Sequence, residues 1–341
     1  MMDAHFEPPV ALGAARELVE PSLRAAVDRL DPKVRRVAAY HFGWEERDGS
    51  PGRGGGKAVR PALAVLSARA VGADGTVGVP GGVAVELVHN FSLLHDDVMD
   101  GDEERRHRPT AWTVFGRSAA ILAGDALLAL AFDVLLDADR GRDAQSCLAS
   151  ATQELIVGQV YDLEFENRLD VGLTECIAMA GAKTAALMAC AASIGARLAG
   201  AGPAQIEALE TFGRELGLAF QLVDDILGIW GSPEVTGKPV GADLRARKKS
   251  LPVVAAMSSE TTAGAELRAL YAGEKLHTDA DPQVVARAAA LVEEAGGRRW
   301  ATDEAARRLA VARTAIANAG LDSSATRDLL ALADYVTQRD H

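Results

Sequence analysis

The chain has 341 residues, 48% of them apolar, which excludes a disordered protein and allows a large core. Its 36 basic and 48 acidic residues leave a net charge of −12, which excludes a general nucleic-acid binder and provides no basic face for a membrane surface. An anionic substrate would therefore need locally concentrated cations or bound metal ions.

Alanine, leucine, glutamate and arginine dominate, and period-two runs of β-branched residues are scarce, so the expected class is all-α. About the first 15 residues are expected to be poorly ordered, and MMDAHFEPPV has no apolar core that would make it a signal peptide. Asp48–Gly56 and Val71–Gly82 read as loops. Three- and four-residue apolar spacing then predicts helices over Val83–Met99, Ala119–Ala138, Gln145–Glu166, Leu173–Leu198 and Ala204–Trp230. Further breaks at Gly231–Gly241 and His277–Pro282 precede helices over Pro282–Glu294 and Ala301–Ala319. No break resembles a linker and no repeat appears, so one domain over 1–341 is expected. The apolar stretch Ala119–Phe132 is interrupted by Asp125 and is short for a bilayer, so no integral membrane segment is expected. Cys147, Cys176 and Cys190 lack C-x-x-C spacing, which points away from a disulfide framework or zinc knuckle and toward a reducing cytoplasm.

Chemistry concentrates in two places. Asp96 and Asp100 are four residues apart on one helical face, with Asp97 on the flank. A solvated acidic face is the ordinary explanation of such a cluster. Here, however, Val88–Leu94 is mostly apolar and Arg105, Arg106 and Arg108 follow, which suits a diphosphate with magnesium. Asp102, Glu103 and Glu104 read as a solvated turn. Asp224-Asp225 ends a second apolar helix after Phe220-Gln221-Leu222-Val223, and Lys238, Asp243, Lys248 and Lys249 follow it. Buried acids need compensation by cations or metal. The two acid-ended helices suggest one shared cavity, with structural ion pairing as the alternative.

This ordered series resembles the trans-isoprenyl diphosphate synthases (polyprenyl synthetases) over essentially the whole chain beyond residue 50. Gly55-Gly56-Lys57-Ala58-Val59-Arg60-Pro61 is similar to the family's G-G-K-x-x-R-P, and His89 stands seven residues before Asp96 as the family histidine does. Asp96-Asp97-Val98-Met99-Asp100, Arg105-Arg106, Gly124-Asp125, Gly158-Gln159-Val160-Tyr161-Asp162, Lys183-Thr184 and Phe220-Gln221-x-x-Asp224-Asp225 continue in order.

The resemblance implies an isoprenoid-synthase-type helical bundle around a central cavity. It implies Mg²⁺, three ions, on Asp96, Asp100 and Asp224, with Asp97 and Asp225 in support. Lys57, Arg60, His89 and Arg106 would hold isopentenyl diphosphate. Arg105, Lys183, Thr184, Gln221, Lys238 and Lys248 would hold the allylic diphosphate, and Asp96, Asp97, Asp100, Arg105, Lys183, Asp224 and Lys238 would serve catalysis. Val88, Phe91 and Ser92 would set product length, the single aromatic beside a small residue resembling the geranylgeranyl (C20) synthases. Homodimers are usual in the family. Two departures stand out: Gly228 replaces the third aspartate of the second motif, and His107 replaces a glycine after the arginine pair.

Alternative readings are a farnesyl or longer-chain synthase, a class I terpene cyclase, and a non-catalytic subunit of a heteromeric synthase. A cyclase would need a serine and a glutamate that are missing after Asp224, and a regulatory subunit would usually lose acids from the first motif, which is intact here.

Overall fold

The structure, a computed structural model, describes residues 8–52, 54, 56–138, 140–233, 239–273, 276–277 and 280–337. The chain is all-α; the strands among the described residues are the two-residue pair Glu104–Arg105 (β1) and Arg108–Pro109 (β2), antiparallel. It divides into two compact units interleaved in sequence: Met1–Thr152 with Ala189–Glu210 and Ala315–Tyr335, and Gln153–Met188 with Thr211–Thr314 and Val336–His341.

The first unit begins with α1 (Val10–Val27), α2 (Pro32–His41) and α3 (Val59–Ala70). Residues 10–15, expected to lack order, form the first turns of α1, where Leu12 and Ala15 are buried with Val19 and Leu23 on one stripe. Asp31 starts α2 by accepting the Lys33 N–H, with Pro32 at the first helical position. A 3₁₀ turn, Gly75–Gly78, capped by the Asp74 carboxylate, leads into α4 (Val79–Asp100), so helix starts inside the expected Val71–Gly82 loop. Pro80 in the first turn supplies a fixed helical φ at no hydrogen-bond cost. Along α4, Val83, Val85, Leu87, Val88 and Leu94 are buried, and α1, α3 and α6 (Arg117–Leu136) pack against it. The short α5 (Ala111–Phe115) packs on α2 and α6.

The 20-residue α6 matches the predicted helix, set two residues earlier; by length and composition alone it, Gly75–Asp100 and Leu173–Leu198 are long and apolar enough to cross a membrane. One face of α6, with Ala120, Ala123, Leu127 and Leu135, is buried, while Ile121, Leu122 and Leu136 are exposed.

α7 (Gly141–Glu166) precedes α8 (Leu173–Ala180), a π-helical turn at Gly181–Ala185, and α9 (Ala186–Leu198), so the expected helix Leu173–Leu198 carries one wide turn in its middle. α10 is Pro203–Trp230. The second unit continues through α11 (Ala242–Arg245), α12 (Leu251–Met257), α13 (Thr262–Ala272) and α14 (Pro282–Glu294). Its core gathers Leu222, Val223, Ile226, Tyr271 and Leu291. α15 (Gly297–Ala317) and α16 (Ser323–Thr337) complete the chain.

Candidate active site

In the first unit, α4 carries Asp96, Asp97 and Asp100 in its last turn and stops at Gly101, whose φ of 69° is left-handed. Carboxylates at a helix C-terminus oppose the helix dipole, so cations must compensate them. Asp97 is buried, and Arg105 Nε donates to its Oδ1 at 2.7 Å, which gives it a supporting place. Asp96 is half-buried and Asp100 exposed, one turn apart. Among the described residues no three acids, histidines or cysteines converge as a ready-made cage. Mg²⁺ binds through one or two carboxylates with water and phosphate oxygens, and Asp96 and Asp100 are donors of that kind.

β1 and β2 are joined by Arg106 and His107, with φ of 52° and 60°, the backbone of a tight type I′ hairpin. His107 therefore stands where a left-handed conformation is required, which accounts for the glycine expected there. The turn brings the Arg106 guanidinium against Gly56, so that a Cβ added to Gly56 would lie 3.2 Å from Nη1. Lys57 follows, its Nζ 5.5 Å from the Tyr335 ring centre. Arg108 is a correction to the expected basic patch. Its guanidinium lies 4.5 Å from the Tyr40 ring centre and donates to the carbonyls of Tyr40 and Glu45 and to Glu46. Those contacts make it a tether between the hairpin and α2.

His89 is held well below the usual histidine range by burial and then by Arg60, Arg106, Arg105 and His41. It is thus neutral and able to donate one N–H. Burial raises the Glu86 carboxyl, and Arg60, the Asn90 amide (3.1 Å) and Arg106 oppose that rise. Arg60, Glu86, His89 and Arg106 therefore form one electrostatic cluster in the first unit. Val88, Phe91 and Ser92 are buried on α4. The Ser92 hydroxyl donates to the His89 carbonyl at 2.8 Å, and the Phe91 ring meets His95 edge-on.

In the second unit, Lys183 and Thr184 lie in the π-helical turn. A π turn inserts one extra residue and re-aims side chains, a device found often at functional sites. Gly158 on α7 permits it: a Cβ there would lie 2.3 Å from Lys183 N. Lys183 Nζ donates to Asp162 at 2.5 Å. Thr184 Oγ1 donates to Gln221 Oε1 at 2.6 Å, and Gln221 Nε2 donates to Asp225 Oδ1 at 2.8 Å. The other Asp225 oxygen accepts the Leu251 N–H at 2.8 Å. Burial, then the Asp243 carboxylate, pushes the Asp225 carboxyl up to about 7; the hydrogen bonds from Leu251 N–H and Gln221 oppose that rise, and the Asp224 carboxylate adds to it. Asp224, beside it, is half-buried.

Gly228 is not a vacant position, because a Cβ there would lie 2.1 Å from Asp243 Oδ2. Lys248 is half-buried, its N–H donating to the Asp243 carbonyl at 2.9 Å. Neighbouring Lys249 is buried and donates to the Glu166 carbonyl at 3.1 Å, a structural role. Lys238 lies outside the described residues.

The structure adds Gln159, to which sequence reasoning assigned no role. It is buried on α7, yet neither amide atom has a hydrogen-bond partner among the described residues. A buried unpaired amide is costly and marks a place for substrate or water. Its position within the Gly158–Asp162 motif was the available signal.

The profile of the polyprenyl synthetase family matches residues 52–289. The chain is 51% identical over 331 residues to a (2E,6E)-farnesyl diphosphate synthase of Mycobacterium tuberculosis, covering 96% of this chain and 92% of that protein. It is 43% identical over 350 residues to a geranylgeranyl diphosphate synthase of the same species, covering 99% and 98%. The crystal structure of a polyprenyl synthetase from Streptomyces coelicolor superposes with a TM-score of 0.90 at 52% identity, covering 96% of this chain and 98% of that one.

Proposed function

The chain belongs to the polyprenyl synthetase family and is a trans-prenyltransferase, and we propose that it condenses isopentenyl diphosphate with allylic diphosphates to give geranylgeranyl diphosphate. The carrying observation is the clustering of Arg60 and Arg106 about His89 on α4, separate in kind from the carboxylates of Asp96 and Asp100. Condensing two diphosphates requires two anion sites, one cationic and one metal-bridged. A cyclase, which uses a single diphosphate, has no need of the first.

In this reading Lys57, Arg60, His89 and Arg106 bind isopentenyl diphosphate. Arginine forks grip phosphate oxygens, and the neutral imidazole adds a donor without a further charge. Asp96, Asp100 and Asp224 would hold the Mg²⁺ ions, three of them, which supply charge stabilisation for the departing diphosphate. Arg105, Lys183 and Lys248 add preorganised positive charge there. Asp97 orients Arg105, and the Thr184–Gln221–Asp225 chain fixes the wall beside Asp224. Buried apolar residues ahead of the acids exclude water from the allylic cation.

Product length is read from Val88, Phe91 and Ser92: one aromatic with a small neighbour supports C20. A C15 product is the second reading, favoured by the 51% identity to a farnesyl diphosphate synthase. The exposed Ile121, Leu122 and Leu136 of α6 support a homodimer; a Leu122→Glu variant that sediments at the mass of wild type would count against it. The free thiols Cys147, Cys176 and Cys190 suit a cytoplasmic location, to be checked by fractionation.

The test supplies isopentenyl diphosphate with C5, C10 and C15 primers and sizes the product. Convergence of all three on C20 is expected. Convergence on C15 would transfer the assignment to the second reading, and hydrocarbon formed from geranylgeranyl diphosphate alone would overturn both.

A further inference from the structure

One imidazole beside the first aspartate motif, that of His95, is held by several neighbours, with 22% of its side chain exposed. The His95 ring meets Phe91 edge-on, with ring centres 4.8 Å apart and planes at 71°. Its Nε2 lies 3.0 Å from the Ile121 carbonyl of α6, which can only accept, so Nε2–H donates. Asp125 Oδ1 lies 3.7 Å from the same nitrogen. Opposite the ring stands Gly124, where an added Cβ would lie 2.3 Å from Nε2. The imidazole therefore fills the place of a side chain on α6 and cannot turn without losing its hydrogen bond.

We propose that His95 is a specificity-determining positioning residue, which holds the Phe91 ring as the floor that stops chain growth and is itself braced by Gly124 and Ile121 of α6. This rests on the reading of Phe91 as a length determinant. Edge-to-face pairing gives Phe91 a preferred ring orientation. A growing chain must displace that ring to add another C5 unit, so the strength of the brace sets the partition between stopping and continuing. Sequence reasoning recorded Gly124-Asp125 as a motif without a task; the brace supplies one.

The experiment compares wild type with Phe91→Ala, His95→Ala, His95→Gln, Gly124→Ala and the His95→Ala/Gly124→Ala double variant, reading the ratio of C25 to C20 product with thermal melts as a folding control. His95→Ala should raise that ratio about fivefold, the factor corresponding to about 1 kcal/mol of aromatic contact. His95→Gln, which keeps an amide donor for Ile121 but no ring, should do the same and serves if His95→Ala fails to fold. Gly124→Ala should change the ratio when His95 is present and leave it unchanged in the His95→Ala background, the non-additivity expected of a shared contact. A lengthened Phe91→Ala product with an unaltered ratio in folded His95→Ala and His95→Gln would overturn the brace alone. Equal effects of Gly124→Ala with and without His95 would also overturn it. An unaltered product from Phe91→Ala would overturn the floor reading itself.

Discussion

Asp243 occupies the volume that a side chain at Gly228 would need, its Oδ2 standing 2.1 Å from an idealised Cβ at that glycine. The missing third acid of the second motif and the acid downstream are thus alternatives for one space. Asp243 also acts on Asp225, raising its carboxyl after burial has done so.

Restoring the family aspartate by Gly228→Asp should therefore harm the protein. Overpacking of this kind costs about 1–3 kcal/mol, and a further carboxylate beside Asp225 and Asp243 adds repulsion. The Gly228→Asp/Asp243→Gly exchange should recover most of the loss. Urea midpoints of the three proteins measure this, and a Gly228→Asp variant as stable as wild type would show that Asp243 yields the space freely.

At His107, φ of 60° places a non-glycine residue in a left-handed turn. Left-handed backbone costs an ordinary residue about 1–2 kcal/mol, partly offset in a glycine variant by its looser unfolded chain. His107→Gly should be neutral or more stable by up to about 1 kcal/mol, and the β-branched His107→Val clearly less stable. A His107→Val midpoint equal to wild type would contradict the turn geometry.

His41 couples stability to acid. Burial, then Arg105, Arg106 and Arg108, lowers it to about 3 from its ordinary 6.5, with Asn90 opposing. Below pH 6.5 the unfolded chain takes up a proton that the folded chain refuses. The stabilisation is full above 6.5 and is lost as pH falls toward 3, with a slope of about 1.4 kcal/mol per pH unit for one proton. His41→Gln should flatten this loss relative to wild type in metal-free protein. Parallel stability curves for the two would remove His41 as the cause.

Local chemistry was legible in the sequence where it depended on neighbours along one helix. Asp96 and Asp100 share a face by spacing alone, and Pro282–Glu294 is helical as its apolar period and its Asp281-Pro282 start require. What could not be read depended on distant partners. Arg108 looked like a site cation until Tyr40 and Glu46 engaged it. The π turn that aims Lys183 exists because Gly158 lets two backbones meet, and nothing in the run from Leu173 to Leu198 encodes that approach. Gln159 lies in a motif legible in the sequence, but that its buried amide lacks a hydrogen-bond partner among the described residues is a fact of the fold. α1 and α2, whose apolar stripes carry no motif, were likewise not read from the sequence.

Asp96 and Asp224 are proposed to serve Mg²⁺-dependent binding of an allylic diphosphate, and calorimetric titration of a non-hydrolysable allylic thiodiphosphate tests this most directly. Wild type with Mg²⁺ should bind the analogue, and chelator, Asp96→Ala or Asp224→Ala should each weaken binding at least about tenfold, which corresponds to about 1.4 kcal/mol. Equal affinity in all four conditions would contradict the account.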